Sequence, residues 1–101
     1  MFIKVIKYKI KKSTLEDWEK ITKAADLIYK KYGEVVSWLP MYRKGKDSYS
    51  IVEVSVYKTE EEFLSIYKNA NEDSELLELY NRFEKILFTN KISEEAFETF
   101  S

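Results

Sequence analysis

The stretch VEVSVYKTEEEF, residues 52–63, runs from a strand pattern directly into a helix start. Valine occupies every second position from 52 to 56, and this alternation of β-branched residues predicts a strand. Thr59 and Glu62 have the spacing of a capping box, which satisfies the free amides of a first helical turn. The carboxylates at 60–62 suit the positive end of a helix dipole. We prefer this interpretation to a metal site because no other clustered ligands follow.

The N-terminal part of the chain repeats this arrangement of a strand followed by a helix. Residues 2–12 alternate as a strand, and Ser13 with Glu16 has the spacing of another capping box. Apolar residues at helical spacing then predict a helix over about 14–32. Gly33 follows, at the position where a residue of left-handed conformation commonly ends a helix.

Two strands joined by a tight turn are predicted in the middle of the chain. The strand over 35–43 contains Pro40, which cannot donate to a ladder, so this strand is expected at an edge of the sheet. Gly45 lies in the turn, where it can adopt a positive φ. The third strand covers 48–57.

The C-terminal part continues with two helices and a short tail. The helix that begins at 60 is interrupted after residue 70, and Asp73 or Ser74 caps a further helix over about 75–88. Residues 92–100 suit either a strand or a helical turn. We favour the strand because the predicted topology requires one.

The order β-α-β-β-α-α-β predicts a ferredoxin-like α+β sandwich with a four-stranded antiparallel sheet. One face of such a sheet is covered by helices and the other is open. We place the valines of 52–56 on the covered face, so their neighbours on the strand point to the open face. We expect that face to meet the same face of a second chain in a homodimer. The interface candidates are Tyr49, Ile51, Glu53, Ser55, Tyr57 and Lys7, with Lys7 or Lys9 as the ion-pair partner of Glu53.

The composition excludes several classes of function. The 101 residues suggest a single domain, 1–101, and a formal net charge of -1 provides no strong field for nucleic acid or a membrane surface. The lack of cysteine and histidine excludes disulfides, thiolate catalysis, Ser-His-Asp triads and His-ligated metals. No apolar run suits a membrane span or a signal peptide, so we expect a cytoplasmic protein. We also expect that it uses no metal and no cofactor. Abundant Lys and Glu, with no Gln, is typical of thermophilic proteins.

Two segments carry a resemblance to a known superfamily. FIKVIKYKIKKSTLEDWEKI, residues 2–21, is a strand running into a capped helix, and VEVSVYKTEEEF is a strand that carries a Glu and ends in an acidic helix start. This pattern resembles the dimeric α/β-barrel superfamily, which includes antibiotic-biosynthesis-type monooxygenases, NIPSNAP-like proteins and stress-responsive barrel proteins. The resemblance covers most of the chain, and it implies a dimer whose two sheets face each other.

The resemblance also implies a cavity. In the resembling monooxygenases a substrate cavity lies between sheet and helices, and oxygen chemistry proceeds without a metal or bound flavin. Their pockets use Trp, Asn, Tyr and Arg, with His in the haem-degrading branch. Here the first two strands lack Asn and the chain lacks His, so no catalytic residue carries over and haem degradation is not expected. The cavity candidates are Trp18, Trp38, Tyr42, Tyr67, Tyr80 and Phe83. A filled core made of the same rings is the alternative.

Three functions follow from these patterns. The working hypothesis is a homodimeric barrel that binds a small apolar or aromatic molecule without turning it over. The first alternative is a cofactor-independent monooxygenase or isomerase that uses the same cavity. The second is an interaction module, because residues 48–54 resemble the third-strand signature of the RNA-recognition motif, with Tyr49 and Ile51 at platform positions. Ile51 is not aromatic and the net charge does not suit a phosphate partner, so nucleic acid is not expected.

Overall fold

The computed structural model describes residues 1–100 and has the predicted order of elements. The strands are β1 (Phe2–Lys11), β2 (Ser37–Lys44), β3 (Ser48–Tyr57) and β4 (Ser93–Glu98), and the helices are α1 (Leu15–Lys30), α2 (Glu60–Ala70) and α3 (Ser74–Ile86). All strand pairs are antiparallel, in the order β2-β3-β1-β4. This confirms the ferredoxin-like α+β fold, the final strand and the edge position of the proline-containing strand. No helix within the described range is long and apolar enough to cross a membrane.

The second and third helices begin at the caps that their sequences predict. The Thr59 hydroxyl accepts a hydrogen bond from the Glu62 amide at 3.1 Å, which is one half of the predicted capping box. The Glu62 carboxylate accepts from the Glu34 amide at 3.2 Å instead of reaching back to Thr59. Asp73 Oδ1 accepts from the amides of Glu75 and Leu76 at 2.9 and 3.3 Å. These bonds satisfy amides that have no partner within the helix, so each helix start is defined locally.

The first helix begins differently from its prediction. Thr14, not Ser13, is the N-cap residue, and no side chain accepts a hydrogen bond from the first turn. The Thr14 hydroxyl instead donates to the Lys11 carbonyl at 2.7 Å, which ties the helix start to the end of β1. The predicted capping box of Ser13 and Glu16 is therefore wrong.

Neither glycine has a positive φ, so the left-handed conformation predicted for Gly33 and the positive φ predicted for Gly45 are wrong. A Cβ on Gly33 would lie 2.6 Å from Ile66 Cγ1 and 2.7 Å from Glu62 Oε1. Glycine at this position therefore allows the chain after α1 to pass close to α2. Gly45 donates its amide to the Ser48 carbonyl at 2.9 Å and closes the β2–β3 turn.

The faces of the sheet are the reverse of those predicted. Ile6 pairs with Glu53, and Val5 pairs with Val54. Ile6 and Glu53 face the helices, so the valines of β3 form the open face. The prediction was wrong because both sides of β3 are apolar enough to be buried, and a period of two identifies the two sets without saying which set is inside. Side chains of the covered face pack with the helices into a core whose fully buried members are Ile10, Ile51, Ile66 and Leu76.

Candidate functional site

A cavity of about 190 Å³ lies between the covered face of the sheet and the helices. Small side chains of α1, Thr22 and Ala25, leave space beneath the helix. Most of the wall is aromatic or aliphatic with a few polar groups, which is the usual chemistry of a ligand pocket. The lining residues are Ile6, Tyr8, Ile21, Thr22, Ala25, Asp26, Tyr29, Val35, Trp38, Glu53, Ser55, Tyr57, Tyr67, Leu76, Leu79, Tyr80, Phe83, Ile92 and Glu94. Of these, Ile92 and Glu94 are exposed and mark where the cavity reaches the surface.

The predicted cavity residues are only partly brought together. The structure places Trp38, Tyr67, Tyr80 and Phe83 in the wall. Trp18 is buried outside the lining and donates its indole N–H to the hydroxyl of Tyr8, which does line the cavity. Tyr42 is 53% exposed and lies outside, where its ring packs edge-on against Trp18 with centroids 6.0 Å apart.

The predicted interface residues lie mostly on the opposite face from the one expected. Tyr49, Ile51, Glu53, Ser55 and Tyr57 all face the helices, and the last three line the cavity. The aromatic platform expected for an RNA-recognition motif is therefore not formed by β3. Lys7 does lie on the open face, but its Nζ is 3.7 Å from Glu95 Oε1 on β4, so the predicted pairing of Lys7 with Glu53 is wrong. Lys9 also lies on the open face.

Glu53 is the polar centre of the cavity wall. Its Oε2 accepts a hydrogen bond from the Tyr8 hydroxyl at 2.5 Å, and its Oε1 accepts from Trp38 Nε1 at 2.9 Å. A carboxylate has about four acceptor positions, so two remain for a ligand. The donors come from β1 and β2, the strands on either side of β3, so sheet register holds the carboxylate in place.

The Tyr8 hydroxyl links Glu53 to the core. It accepts from Trp18 Nε1 at 2.7 Å while it donates to Glu53. Burial raises the pKa of Tyr8 above its ordinary value, and the negative charge of Glu53 raises it further. Tyr8 therefore remains a neutral hydrogen-bond donor at physiological pH.

Four further tyrosines complete the aromatic wall. Burial raises the pKa of Tyr29, Tyr57, Tyr67 and Tyr80 above the ordinary value, so their hydroxyls stay protonated. The hydroxyls of Tyr29 and Tyr80 are hydrogen-bonded to each other. The rings of Tyr29 and Tyr67 are stacked with centroids 5.1 Å apart. A ligand in the cavity would therefore meet neutral rings that carry polar hydroxyl groups.

Two other carboxylates line the cavity, and each has a lysine partner. Asp26 Oδ2 lies 2.8 Å from Lys30 Nζ, and Glu94 Oε2 lies 3.5 Å from Lys4 Nζ. Across residues 1–100, no three potential metal-ligating side chains come together as a metal site.

Sequence reasoning missed Tyr8, Tyr29, Asp26 and Glu53 as cavity residues. Thr22, Ala25, Asp26 and Tyr29 share one face of α1 at helical spacing, so a signal was present: small and polar residues interrupt an otherwise bulky apolar stripe. Glu53 carried no comparable signal, because its position inside or outside depends on the face assignment of β3.

Comparison with known proteins finds solved structures that share this fold. No protein-family model matches the chain, and no curated protein does. A NIPSNAP domain protein from Burkholderia xenovorans has a solved structure with 15% identity and a TM-score of 0.74, covering 100% of this chain and 96% of that one. The cofactor-independent oxygenase SnoaB from Streptomyces nogalater has 10% identity and a TM-score of 0.71, covering 99% and 94%. An antibiotic biosynthesis monooxygenase-like protein from Nitrosomonas europaea has 9% identity and a TM-score of 0.72, covering 100% of both chains.

These proteins share the ferredoxin-like α/β fold with this chain, and they come from the groups that the sequence resembles. The predicted resemblance is therefore confirmed at the level of the fold.

Proposed function

We propose that this protein binds a small apolar or aromatic molecule in the cavity between its sheet and its helices, without converting it. The observation that carries the proposal is an aromatic cavity of about 190 Å³ with an oriented carboxylate, Glu53, in its wall. Apolar walls provide affinity, while a few convergent polar groups orient the ligand. One fold neighbour is described as a cofactor-independent oxygenase, which supports a role for this scaffold with small molecules.

A cavity-filling variant tests this proposal. Ala25 lines the cavity from α1, so Ala25→Leu places additional carbon atoms inside it. Benzyl alcohol serves as a neutral aromatic probe, and the change in tryptophan fluorescence reports binding because Trp38 lies in the wall. We expect saturable binding to the natural protein and a dissociation constant raised at least about tenfold in Ala25→Leu.

Ala96→Leu is the matched control, because Ala96 is exposed on β4 and does not line the cavity. It should bind the probe as the natural protein does. Equal binding by all three proteins would place the probe elsewhere and contradict the proposal.

The proposal includes a homodimer formed through the open face of the sheet. That face presents a continuous apolar surface made of Ile3, Val5, Leu39, Met41, Val52, Val54, Val56 and Phe97. Leu39 and Phe97 are 55% and 50% exposed in the single chain. An apolar surface of this extent is typical of an interaction site. Two copies related by a two-fold axis would cover each other's valines and close the two sheets into a barrel.

A second candidate is an enzyme of the cofactor-independent monooxygenase or isomerase type, and the position of Glu53 favours it. A fixed carboxylate with free acceptor positions in an apolar cavity can take a proton from a bound carbon acid or phenol. In an isomerisation, the same carboxyl returns that proton to another carbon. In an oxygenation, O₂ is the oxidant: one oxygen atom converts a CH₂ group to a carbonyl, and the other leaves as water with both hydrogens.

Oxygen uptake with a polycyclic phenol distinguishes this candidate from simple binding. Uptake that depends on the protein and is lost in Glu53→Gln would establish the enzyme, provided that the variant still binds the substrate. Binding of the phenol without oxygen uptake, and without exchange of its carbon-bound hydrogens with deuterated solvent, would leave the binding role.

A further inference from the structure

The charges that line the cavity are all of one sign. Asp26, Glu53 and Glu94 are the only charged residues in the described wall, and neither lysine nor arginine contributes to it. Lys30 and Lys4 pair with Asp26 and Glu94. Glu53 takes part in none of the ion pairs found within residues 1–100. One negative charge in the wall is therefore left without a positive partner.

The hydrogen bonds around Glu53 are all directed toward its two oxygens. An indole N–H can only donate, so Trp18 donates to the Tyr8 oxygen and Trp38 donates to Glu53 Oε1. The Tyr8 oxygen already accepts from Trp18, and its own proton is therefore the one directed at Glu53 Oε2. Both oxygens of Glu53 thus accept hydrogen bonds from neutral donors, and neither is paired with a basic side chain.

The remaining wall is suited to the same kind of partner. Seven aromatic rings line the cavity: Tyr8, Tyr29, Trp38, Tyr57, Tyr67, Tyr80 and Phe83. The face of an aromatic ring is the negative part of its quadrupole, and it attracts cations placed over it. A cation would therefore find a counter-charge and several aromatic rings within one small apolar space. An anion would meet an unneutralised carboxylate and no basic side chain.

We propose that the ligand of this cavity is a compact organic cation, a protonated amine or a quaternary ammonium group on an apolar body, with Glu53 as its counter-charge. The inference rests on the proposed function, since it names the class of molecule that the cavity takes. A volume of about 190 Å³ is below the roughly 300–1,000 Å³ of pockets for drug-sized ligands, so the ligand is small. Its charged group lies at the free acceptor positions of Glu53 and its apolar part lies among the tyrosine rings.

Three probes that share one ring and differ in charge test this inference: benzylammonium, benzyl alcohol and benzoate. Tryptophan fluorescence at neutral pH gives a dissociation constant for each. We expect benzylammonium to bind about tenfold more tightly than benzyl alcohol, and benzoate to bind most weakly. Glu53→Gln keeps the shape of the side chain and removes its charge. It should weaken benzylammonium binding by a larger factor than benzyl alcohol binding.

Glu95→Gln is the matched control, because Glu95 lies on the open face of β4 and outside the cavity. It should leave the order of the three probes unaltered. Equal binding of benzylammonium and benzyl alcohol to the natural protein overturns the inference and leaves the binding function standing, and this comparison needs no folded variant. Equal weakening of all three probes by Glu53→Gln also overturns it, since the side chain would then shape the wall without supplying charge. Binding of none of the probes contradicts both the inference and the binding function.

Discussion

Replacing Tyr8 with Phe removes one oxygen atom that connects three side chains beside the cavity. That oxygen accepts from Trp18 Nε1 at 2.7 Å and donates to Glu53 Oε2 at 2.5 Å. Phenylalanine keeps the ring and therefore its edge-to-face contact with Phe83, where the centroids are 4.9 Å apart. Tyr8→Phe thus isolates the contribution of the hydroxyl.

Two losses determine the size of the effect. Trp18 is only 3% exposed, so its N–H would remain in the core without an acceptor, at a cost of about 1–3 kcal/mol. A hydrogen bond to a charged group contributes about 1.5–3 kcal/mol, but Glu53 is partly exposed and water replaces some of it. We expect the free energy of unfolding to fall by about 2–4 kcal/mol. For a domain of this length, that corresponds to a fall in Tm of roughly 10–20 °C.

Urea unfolding followed by circular dichroism measures this difference. All proteins are compared at one concentration, because the stability of a dimer depends on it. Tyr42→Phe is the control: Tyr42 is 53% exposed, so a change below about 0.5 kcal/mol is expected. Combining Tyr8→Phe with Glu53→Gln should be non-additive by about 0.5–3 kcal/mol. A Tyr8→Phe protein as stable as Tyr42→Phe would refute the hydrogen-bonded chain.

Three other variants test separate parts of the structure. Gly33→Ala places a Cβ 2.6 Å from Ile66 Cγ1. The resulting overpacking should destabilise the fold by about 1–3 kcal/mol, which exceeds the roughly 0.4–1 kcal/mol of stability gained from a less flexible unfolded chain. A stabilised Gly33→Ala protein would contradict the close approach of the two segments. The hydrogen bond from the Tyr32 hydroxyl is the main reason that the pKa of Asp73 is lowered from 3.8 to about 2. A carboxyl with a lowered pKa stabilises the fold above its ordinary value and loses that effect as the pH falls through the lowered one. The stability advantage over Asp73→Asn should therefore shrink between about pH 4 and pH 2, and an advantage that stays constant in urea unfolding at both pH values would count against this role. Val54→Lys, on the open face, should convert the proposed dimer to a monomer in analytical ultracentrifugation. Leu77→Lys, at a 50% exposed position on α3, is the control and should leave the dimer intact. A Val54→Lys protein that is still a dimer would exclude the open face as the interface.

Much of the fold follows from local patterns in the sequence. The alternation of 48–57, the Thr59 and Asp73 caps and the apolar spacing of the helices all act within a few residues. Pro40 also indicated the edge strand, because a missing amide donor is a property of one residue. Features of this kind were predicted and are confirmed by the structure.

The candidate site could be predicted only in part, because it depends on contacts between distant residues. Tyr8 and Glu53 are 45 residues apart and meet only through the register of β1 and β3. Valine and the larger residues Ile51 and Tyr57 are both suitable for burial, so composition did not distinguish the two faces. In the structure Ile51 and Tyr57 are buried under the helices, and the valines lie on the open face. Once the faces are assigned correctly, Glu53 moves from a predicted interface to the cavity wall.

The cavity is tested most directly by the indole N–H resonances of the two tryptophans in a ¹⁵N-labelled sample. Trp38 donates its N–H to Glu53 in the cavity wall. The backbone amide of Val54, the next residue, is the comparison for the open face, because the Val54 side chain lies on that face. Titration with benzyl alcohol should shift the Trp38 indole resonance in a saturable manner. The Ala25→Leu protein should show this shift only at probe concentrations at least about tenfold higher. An unchanged Trp38 indole resonance, with saturable shifts confined to residues of the open face, would contradict a ligand site between the sheet and the helices.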